Sequence, residues 1–157
     1  MAKICYLSIG SNLKSPQRQL QQAIAALRKL PTTAILKIAS FYRNKAWGRK
    51  GQPDFYNTVV ALSTTLTPAQ LLTYCQQIEY AQGRIRKVKW ASRTIDLDLI
   101  FYGKHKITSP RLIIPHPRWH LRDFVIFPLQ EIMTIGEFKE LLAHAHLAAL
   151  TPLPLNQ

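Results

Sequence analysis

The chain has 157 residues, 47% apolar and 18% charged, which suffices for one core and excludes disordered or collagen-like classes. Its 21 lysines and arginines outnumber its 8 aspartates and glutamates, leaving a net charge of +13. This excess favours an anionic partner, although a generally basic surface is the alternative. No apolar run reaches the roughly 20 residues of a membrane helix, and both cysteines lie in apolar segments typical of buried thiols, so we expect a cytoplasmic protein.

Residues 1–103 alternate between strand and helix patterns. Runs of apolar and β-branched residues predict four strands, over 3–9, 35–43, 55–62 and 94–102. Apolar residues at helical spacing predict two helices, over 16–30 and 68–83. Ser15 and Thr67 each precede a proline and are the predicted N-caps. The order strand, helix, strand, strand, helix, strand predicts an α+β fold whose antiparallel sheet carries two helices on one face.

The rest of the chain is less regular. Loops are predicted over 44–53, 84–93 and 111–117, where glycine, proline or basic residues accumulate. Beyond them we expect a helical turn over 118–123, a short strand over 124–127 and a helix over 138–149, followed by a frayed end. The chain contains no internal repeat or linker, so residues 1–157 are interpreted as a single domain with C-terminal additions.

Two aspartates inside the fourth predicted strand are the sharpest chemical signal. Asp96 and Asp98 share one face of that strand, about 7 Å apart, whereas the leucines beside them share the other. Paired carboxylates suit a hard cation such as Mg²⁺, although a half-exposed polar face is the ordinary explanation. Because aspartate is a poor strand former and the chain has only four, a metal-binding role is the stronger hypothesis.

A basic run comes directly before this strand. Residues 84–93 contain five lysines and arginines around Trp90. Such a run is usually a solvated face, but beside a metal pair it favours a site that holds a polyphosphate. No P-loop motif is present, so arginines would have to cradle the phosphates. His116 and His120 lie four residues apart with a proline between them, and they do not indicate zinc.

Several motifs together resemble the 6-hydroxymethyl-7,8-dihydropterin pyrophosphokinase family. The most specific is WASRTIDLDLI over 90–100. Others fall in the family's order between residues 4 and 131: YLSIGSNL at 6–13, SFYR at 40–43, WG at 47–48, QPDFYN at 52–57, IE at 78–79, GRIR at 83–86 and IPHPR at 114–118. The resemblance implies a ferredoxin-like βαββαβ core and transfer of a pyrophosphoryl group from ATP to a pterin hydroxymethyl group, releasing AMP.

The resemblance also implies roles for individual residues. Asp96 and Asp98 would hold two Mg²⁺ ions that bridge the ATP phosphates. Residues acting on the phosphates or closing over them would be Arg84, Arg86, Trp90 and Arg93, with ATP also bound by Lys87, Arg111, His116 and Arg122. The pterin would be sandwiched or hydrogen-bonded by Asn44, Trp47, Phe55, Asn57, Glu79 and Phe124. No residue stands out as a general base.

Two other classes remain as alternatives. An RNA-recognition module shares the strand order, but DFYNTV at 54–59 lacks its aromatic signature, and two aspartates would repel a nucleic-acid backbone. A nucleotidyl transferase or cyclase could use the same carboxylate pair and release pyrophosphate, but it would leave the pterin-side residues unexplained. We therefore expect small-molecule substrates, no nucleic-acid or membrane partner, and a monomer.

Overall fold

A computed structural model describes residues 1–13, 15–44, 53–83 and 95–149, with side chains described up to residue 145. In these ranges the main sheet has five strands: β1 (Lys3–Ser11), β2 (Thr33–Ile38), β3 (Tyr42–Asn44), β4 (Phe55–Thr64) and β5 (Asp96–Tyr102). Two short strands form a separate pair: β6 (Ile107–Thr108) and β7 (Ile113–Ile114). The α-helices of the same ranges are α1 (Pro16–Arg28), α2 (Pro68–Ala81), α3 (Asp123–Ile132) and α4 (Ile135–Ala149).

All pairings in the main sheet are antiparallel. The strand order is β2-β4-β1-β5, and β3 also pairs with β4. β1 therefore lies between β4 and β5. Residues of these three strands, which are far apart in the sequence, become neighbours across the sheet. The mixed fold, with helices packed on an antiparallel sheet, is the one that the sequence pattern predicts.

Alternate residues of each strand face opposite sides of the sheet, and each side is covered differently. One side, here called the α1/α2 face, buries Leu7, Leu62 and Leu97 against these two helices. The other, here called the α3 face, buries Val59 and Phe101 in a cluster with residues of α3 and α4. The sheet is thus the middle layer, and its strands contribute to two separate apolar clusters.

The two helices of the α1/α2 face begin differently. At α2, the Thr67 hydroxyl accepts from the Gln70 N–H and the Gln70 side chain accepts from the Thr67 N–H, so the predicted cap is a complete capping box. At α1, Ser15 has φ +60° and its side chain makes no capping hydrogen bond. Ser15 is thus the N-cap residue by position, followed by Pro16 as predicted, but it does not cap with its side chain, because a left-handed backbone differs from the extended conformation in which the hydroxyl can reach the helix N–H groups.

Other predicted elements need correction. The single strand predicted over 35–43 is two strands, because Ser40 turns its N–H away from the sheet to the Glu131 carboxylate. The strand predicted over 124–127 is the first half of α3. Its buried residues are Val125, Pro128, Leu129 and Ile132, which recur at helical spacing, and their packing outweighs the local β propensity. The loop predicted over 111–117 contains the short strand β7, while a 3₁₀ turn at Trp119–Leu121 confirms the predicted helical turn.

Both cysteines lie in the apolar cluster of the α1/α2 face, Cys5 in β1 and Cys75 in α2. Cys5 and Cys75 are 0% and 1% exposed, and neither forms a disulfide. Burial raises the pKa of each thiol to about 12. None of the helices described is both long and apolar enough to cross a membrane.

Candidate active site

A row of residues with small or polar side chains crosses one end of the α3 face. Asp96 of β5 is opposite Gly10 of β1, Gly10 is opposite Asn57 of β4, and Asn57 is opposite Tyr42 of β3. Directly opposed residues of antiparallel strands share a face, so one carboxylate, one amide and one phenol are aligned across four strands. This row lies beyond the apolar cluster that α3 covers on the same face.

The predicted carboxylate pair lies at the β5 end of this row. Asp96 and Asp98 are half-buried, Leu97 and Leu99 are buried on the opposite face, and this alternation confirms the predicted strand geometry. The donor set consists of hard oxygens, which fits a cation such as Mg²⁺. Within the described ranges no three histidine, cysteine, aspartate or glutamate side chains group to hold a metal.

Glu79 reaches the same strand from the opposite side. It belongs to α2, is 2% exposed, and its Oε2 accepts from the Leu97 N–H at 2.8 Å. The contact ties α2 to the backbone between Asp96 and Asp98. The structure thus places this residue on the α1/α2 face, away from the row of Asn57, although the sequence grouped it with the pterin ligands.

His116 and Arg122 face each other beside the carboxylates. The Arg122 Nη1 lies 3.5 Å from His116 Nε2, and the His116 Nδ1 accepts from the Arg118 N–H at 3.2 Å. Burial and the Arg122 cation lower the pKa of His116 to about 4, and the charge of Asp96 opposes the shift. The imidazole is therefore neutral at pH 7.

The two contacts of His116 require different tautomers of the neutral ring. The Arg118 N–H donates to Nδ1, which places the ring proton on Nε2, whereas Arg122, which has only donors, requires Nε2 to accept. A neutral ring therefore satisfies one of the two contacts at a time. An anionic oxygen beside Arg122 would accept from the guanidinium, and also from the Nε2–H in the first tautomer, which fits the phosphate role that the resemblance implies for these two residues.

The two phenylalanines predicted to enclose the pterin come from different elements. Phe124 lies in the first turn of α3, and the Arg122 guanidinium is 5.5 Å from its ring centroid. Phe55 begins β4 and is opposite Asn44 of β3. The Asn44 Nδ2 is buried without a hydrogen-bond acceptor among the described residues, and this donor could bind the polar edge of a ligand.

Gly10 is a site residue that sequence reasoning missed. The predicted first strand stops at residue 9, but β1 continues to Ser11 and includes Gly10. A Cβ at this position would lie 2.5 Å from the Asn57 Oδ1, so only glycine allows the Asn57 amide to rest on β1. The available signal was the glycine itself, because glycine within a strand marks a close approach by another group.

The remaining predicted residues divide into two groups. Arg111 donates from Nη2 to Thr73 Oγ1 at 2.9 Å and to Gln76 Oε1 at 3.3 Å, so it lies on the exposed side of α2. The others lie outside the described residues: Trp47, Arg84, Arg86, Lys87, Trp90 and Arg93.

Together, the fold and the described geometry define an α+β domain with a paired-carboxylate and cationic site on one face of its sheet. A family model described as 7,8-dihydro-6-hydroxymethylpterin-pyrophosphokinase (HPPK) matches residues 6–134. The chain belongs to this family.

Individual relatives agree with the family match. The chain is 45% identical over 127 residues to the 2-amino-4-hydroxy-6-hydroxymethyldihydropteridine pyrophosphokinase of Haemophilus influenzae, covering 81% of this chain and 79% of the relative. It is 39% identical over 132 residues to the enzyme of the same name from Pseudomonas aeruginosa, covering 84% and 82%. A solved structure of an HPPK-DHPS in complex with substrates matches with a TM-score of 0.62 at 12% identity, covering 93% of this chain and 44% of that one. At that identity the likeness concerns the fold alone.

Proposed function

We propose that this protein transfers the pyrophosphoryl group of ATP to the hydroxymethyl oxygen of 6-hydroxymethyl-7,8-dihydropterin, giving AMP and the pterin diphosphate in folate biosynthesis. Family membership and relatives named as this pyrophosphokinase support the reaction. The structural observation that carries the proposal is the row from Asp96 to Asn57, because its carboxylate end lies across the sheet from Asn57 and the strand pair that carries the unsatisfied Asn44 amide donor.

The phosphate end would hold the metal and the triphosphate. Asp96 and Asp98 supply the carboxylates for two Mg²⁺ ions, which neutralise phosphate charge when bound. His116 and Arg122 donate N–H groups to phosphate oxygens, and Arg111 binds the nucleotide from the α2 side. We assign the remaining contacts to Arg84, Arg86, Lys87, Trp90 and Arg93 from sequence alone, with Arg86 and Trp90 in a loop that closes over the substrates.

The other end would hold the pterin. Phe55 and Phe124 sandwich the flat ring, which buries its apolar faces. Asn57 and Asn44 hydrogen-bond its polar edge, together with backbone groups between Asn44 and Trp47. Gly10 keeps the Asn57 amide in place beneath the ring. This is the usual plan of a small-molecule pocket, with an apolar body and a few polar groups that fix orientation.

Catalysis in this arrangement depends on positioning and charge. The chain holds the pterin hydroxymethyl group and the β-phosphate of ATP side by side, which converts a bimolecular step into one within a complex. Donors from His116 and Arg122 stabilise the charge that develops on the transferred group. No covalent intermediate with the protein is required, and we assign no general base.

Three general properties complete the proposal. The order β2-β4-β1-β5 and the two helices of the α1/α2 face support a ferredoxin-like core, to which β6, β7, α3 and α4 are additions. The two buried thiols fit a reducing, cytoplasmic compartment. We propose a single domain that acts as a monomer on small molecules, with no nucleic-acid partner, and size-exclusion chromatography with light scattering tests its state of assembly.

A product assay tests the reaction. The protein is incubated with ATP, Mg²⁺ and 6-hydroxymethyl-7,8-dihydropterin, and AMP, ADP and pyrophosphate are resolved by ion-exchange chromatography. Pterin-dependent AMP is the expected result. Release of pyrophosphate would replace the proposal with nucleotidyl transfer, and no pterin-dependent product would overturn it.

A further inference from the structure

Glu131 joins the two walls of the proposed pterin pocket. It lies near the end of α3, the helix whose first turn carries Phe124. Its carboxylate accepts three hydrogen bonds from the segment that leads into β3: from the Ser40 N–H at 2.9 Å, the Ser40 hydroxyl at 3.0 Å and the Tyr42 hydroxyl at 2.6 Å. No role for this residue followed from the sequence.

These contacts are charge-assisted and mutually consistent. One carboxylate oxygen takes both Ser40 donors and the other takes the Tyr42 hydroxyl. The hydrogen bond to Glu131 raises the pKa of Tyr42 to about 12 and lowers the pKa of Glu131. A further bond joins the same two segments, from the Lys37 Nζ to the Ile132 carbonyl at 3.2 Å. The end of α3 is therefore held on β2 and β3 by four polar contacts.

The segments so joined carry both sides of the pocket. Tyr42 is opposite Asn57, and Asn44, two residues further along β3, is opposite Phe55. At the other end of the connection, Val125 and Leu129 pack α3 on the cluster that contains Val59. To this apolar packing the Glu131 contacts add directional hydrogen bonds between the end of α3 and the segment that enters β3.

We propose that Glu131 is a positioning residue that sets the separation between Phe124 and the β3–β4 wall, and thereby the affinity for the pterin. This inference rests on the proposed function, because it takes these two walls as the pterin pocket. We expect its effect mainly on the pterin, because Glu131 lies near the end of α3, whereas His116 and Arg122 lie before the first residue of the helix.

The test compares Glu131→Gln and Tyr42→Phe with the unmodified enzyme. Pterin affinity is measured by fluorescence titration in the presence of Mg²⁺ and a non-hydrolysable ATP analogue, and analogue affinity by calorimetry. We expect Glu131→Gln to raise the pterin Kd about tenfold, Tyr42→Phe to raise it less, and both to leave the analogue Kd within about twofold. The double variant should equal Glu131→Gln, because the two residues act through one contact.

Glu137→Gln is the matched control. Glu137 belongs to the neighbouring helix α4, and its carboxylate accepts from the Thr134 N–H at 3.2 Å without any link to β3. The control should leave the pterin Kd unchanged. Equal pterin affinity in the unmodified enzyme, Glu131→Gln and Glu137→Gln, or equal losses of pterin and analogue affinity in Glu131→Gln, would overturn the inference. If the unmodified enzyme itself does not bind pterin, the proposed function fails instead.

Discussion

The two faces of the sheet are built from the same strands, yet they differ in composition and in task. The α1/α2 face is apolar along the middle of β1 and the start of β5, where Leu7, Ile9, Leu97 and Leu99 are all buried. The α3 face is apolar only where α3 and α4 cover it, and its other end carries the row from Asp96 to Tyr42. Residues of both faces thus stabilise the fold, whereas most residues of the proposed site lie on one face.

The comparison teaches how a single strand can serve both purposes. In β5 the residue period of two sends Leu97 and Leu99 into the core and Asp96 and Asp98 to the site. Because Leu97 anchors the strand and Glu79 binds its N–H, the aspartates gain rigid support from the face that they do not occupy. Substitutions on the two faces should therefore have separable effects.

The largest separation is expected between Asp98→Asn and Leu7→Ala. Asp98→Asn, or Asp96→Asn, should lower kcat/KM between about 100- and 1000-fold, because one hard anionic ligand is lost at the phosphate end. Leu7→Ala should instead lower the free energy of unfolding by about 2–5 kcal/mol, because it empties a fully buried position. Steady-state kinetics in Mg²⁺ and urea denaturation measure the two effects.

The two faces would not be separable if both substitutions changed activity and the free energy of unfolding in the same way. Full activity of an aspartate variant with Mg²⁺ as the only metal would remove that residue from the metal site. A loss of kcat per folded molecule in Leu7→Ala would show that the faces are not independent.

The second effect is a pH dependence of stability that belongs to the α3 face. The pKa of His116 is about 4 in the folded protein and about 6.5 in the unfolded chain. Between these values the unfolded chain binds a proton that the folded protein does not, so stability falls as the pH falls from 6.5 towards 4. The loss is about 3 kcal/mol in full, and denaturant unfolding at pH 7 and pH 4.5 measures most of it.

His116→Gln isolates this contribution. The other acid-sensitive groups, including Glu131 and Glu137, titrate in both proteins and cancel in the difference. The variant should lose about 2–3 kcal/mol less than the unmodified protein over the same interval. Parallel losses in the two proteins would mean that His116 is not held neutral by burial.

A smaller effect is expected at Gly10, where the Asn57 amide lies against the backbone of β1. Gly10→Ala should displace the Asn57 amide, because the new Cβ would lie 2.5 Å from Asn57 Oδ1. We expect pterin Kd to rise about tenfold while analogue binding stays constant, since one oriented hydrogen bond is lost. Fluorescence titration and calorimetry give the two constants.

Gly136→Ala is the control for this substitution. A Cβ at Gly136 meets no atom within 4 Å. Its pterin affinity should be unchanged, and its stability should change by less than about 1 kcal/mol. Unaltered pterin binding in Gly10→Ala would contradict the assignment of Asn57 to the pterin edge.

The smallest expected effect concerns the N-caps of the two helices on the α1/α2 face. Thr67→Ala should lower the free energy of unfolding by about 1 kcal/mol, because it removes the capping box of α2. Ser15→Ala should change it by only a few tenths, since the Ser15 side chain makes no cap bond. Thermal unfolding of the two variants distinguishes them, and equal losses would contradict the capping geometry.

Local patterns were sufficient to predict most of the sheet and part of the site. The alternation at 95–99 and the helical spacing in α1 and α2 reflect periodicities of the backbone itself, so a short stretch of sequence reveals them. The placement of Asp96 and Asp98 on one face followed directly. The family resemblance then suggested which distant residues, such as His116 and Arg122, would join them.

What local patterns could not reveal depended on contacts between distant segments. Residues 124–127 have strand-like side chains, and only their packing on β4 makes them helical. Ser40 leaves the sheet because of Glu131, which is 91 positions away. Gly10 is required by an amide in another strand, and the place of Glu79 depends on which face α2 covers. None of these partners lies within reach of a local pattern.

The buried thiols give the α1/α2 face a built-in reporter. With pKa values of about 12 and almost no exposure, Cys5 and Cys75 offer very little thiolate to an alkylating reagent at pH 8. A maleimide added to the folded protein should therefore react only when the helices leave the sheet. Labelling rates would follow the opening of the core directly, so the stability of one face can be recorded while turnover on the other is measured in the same sample.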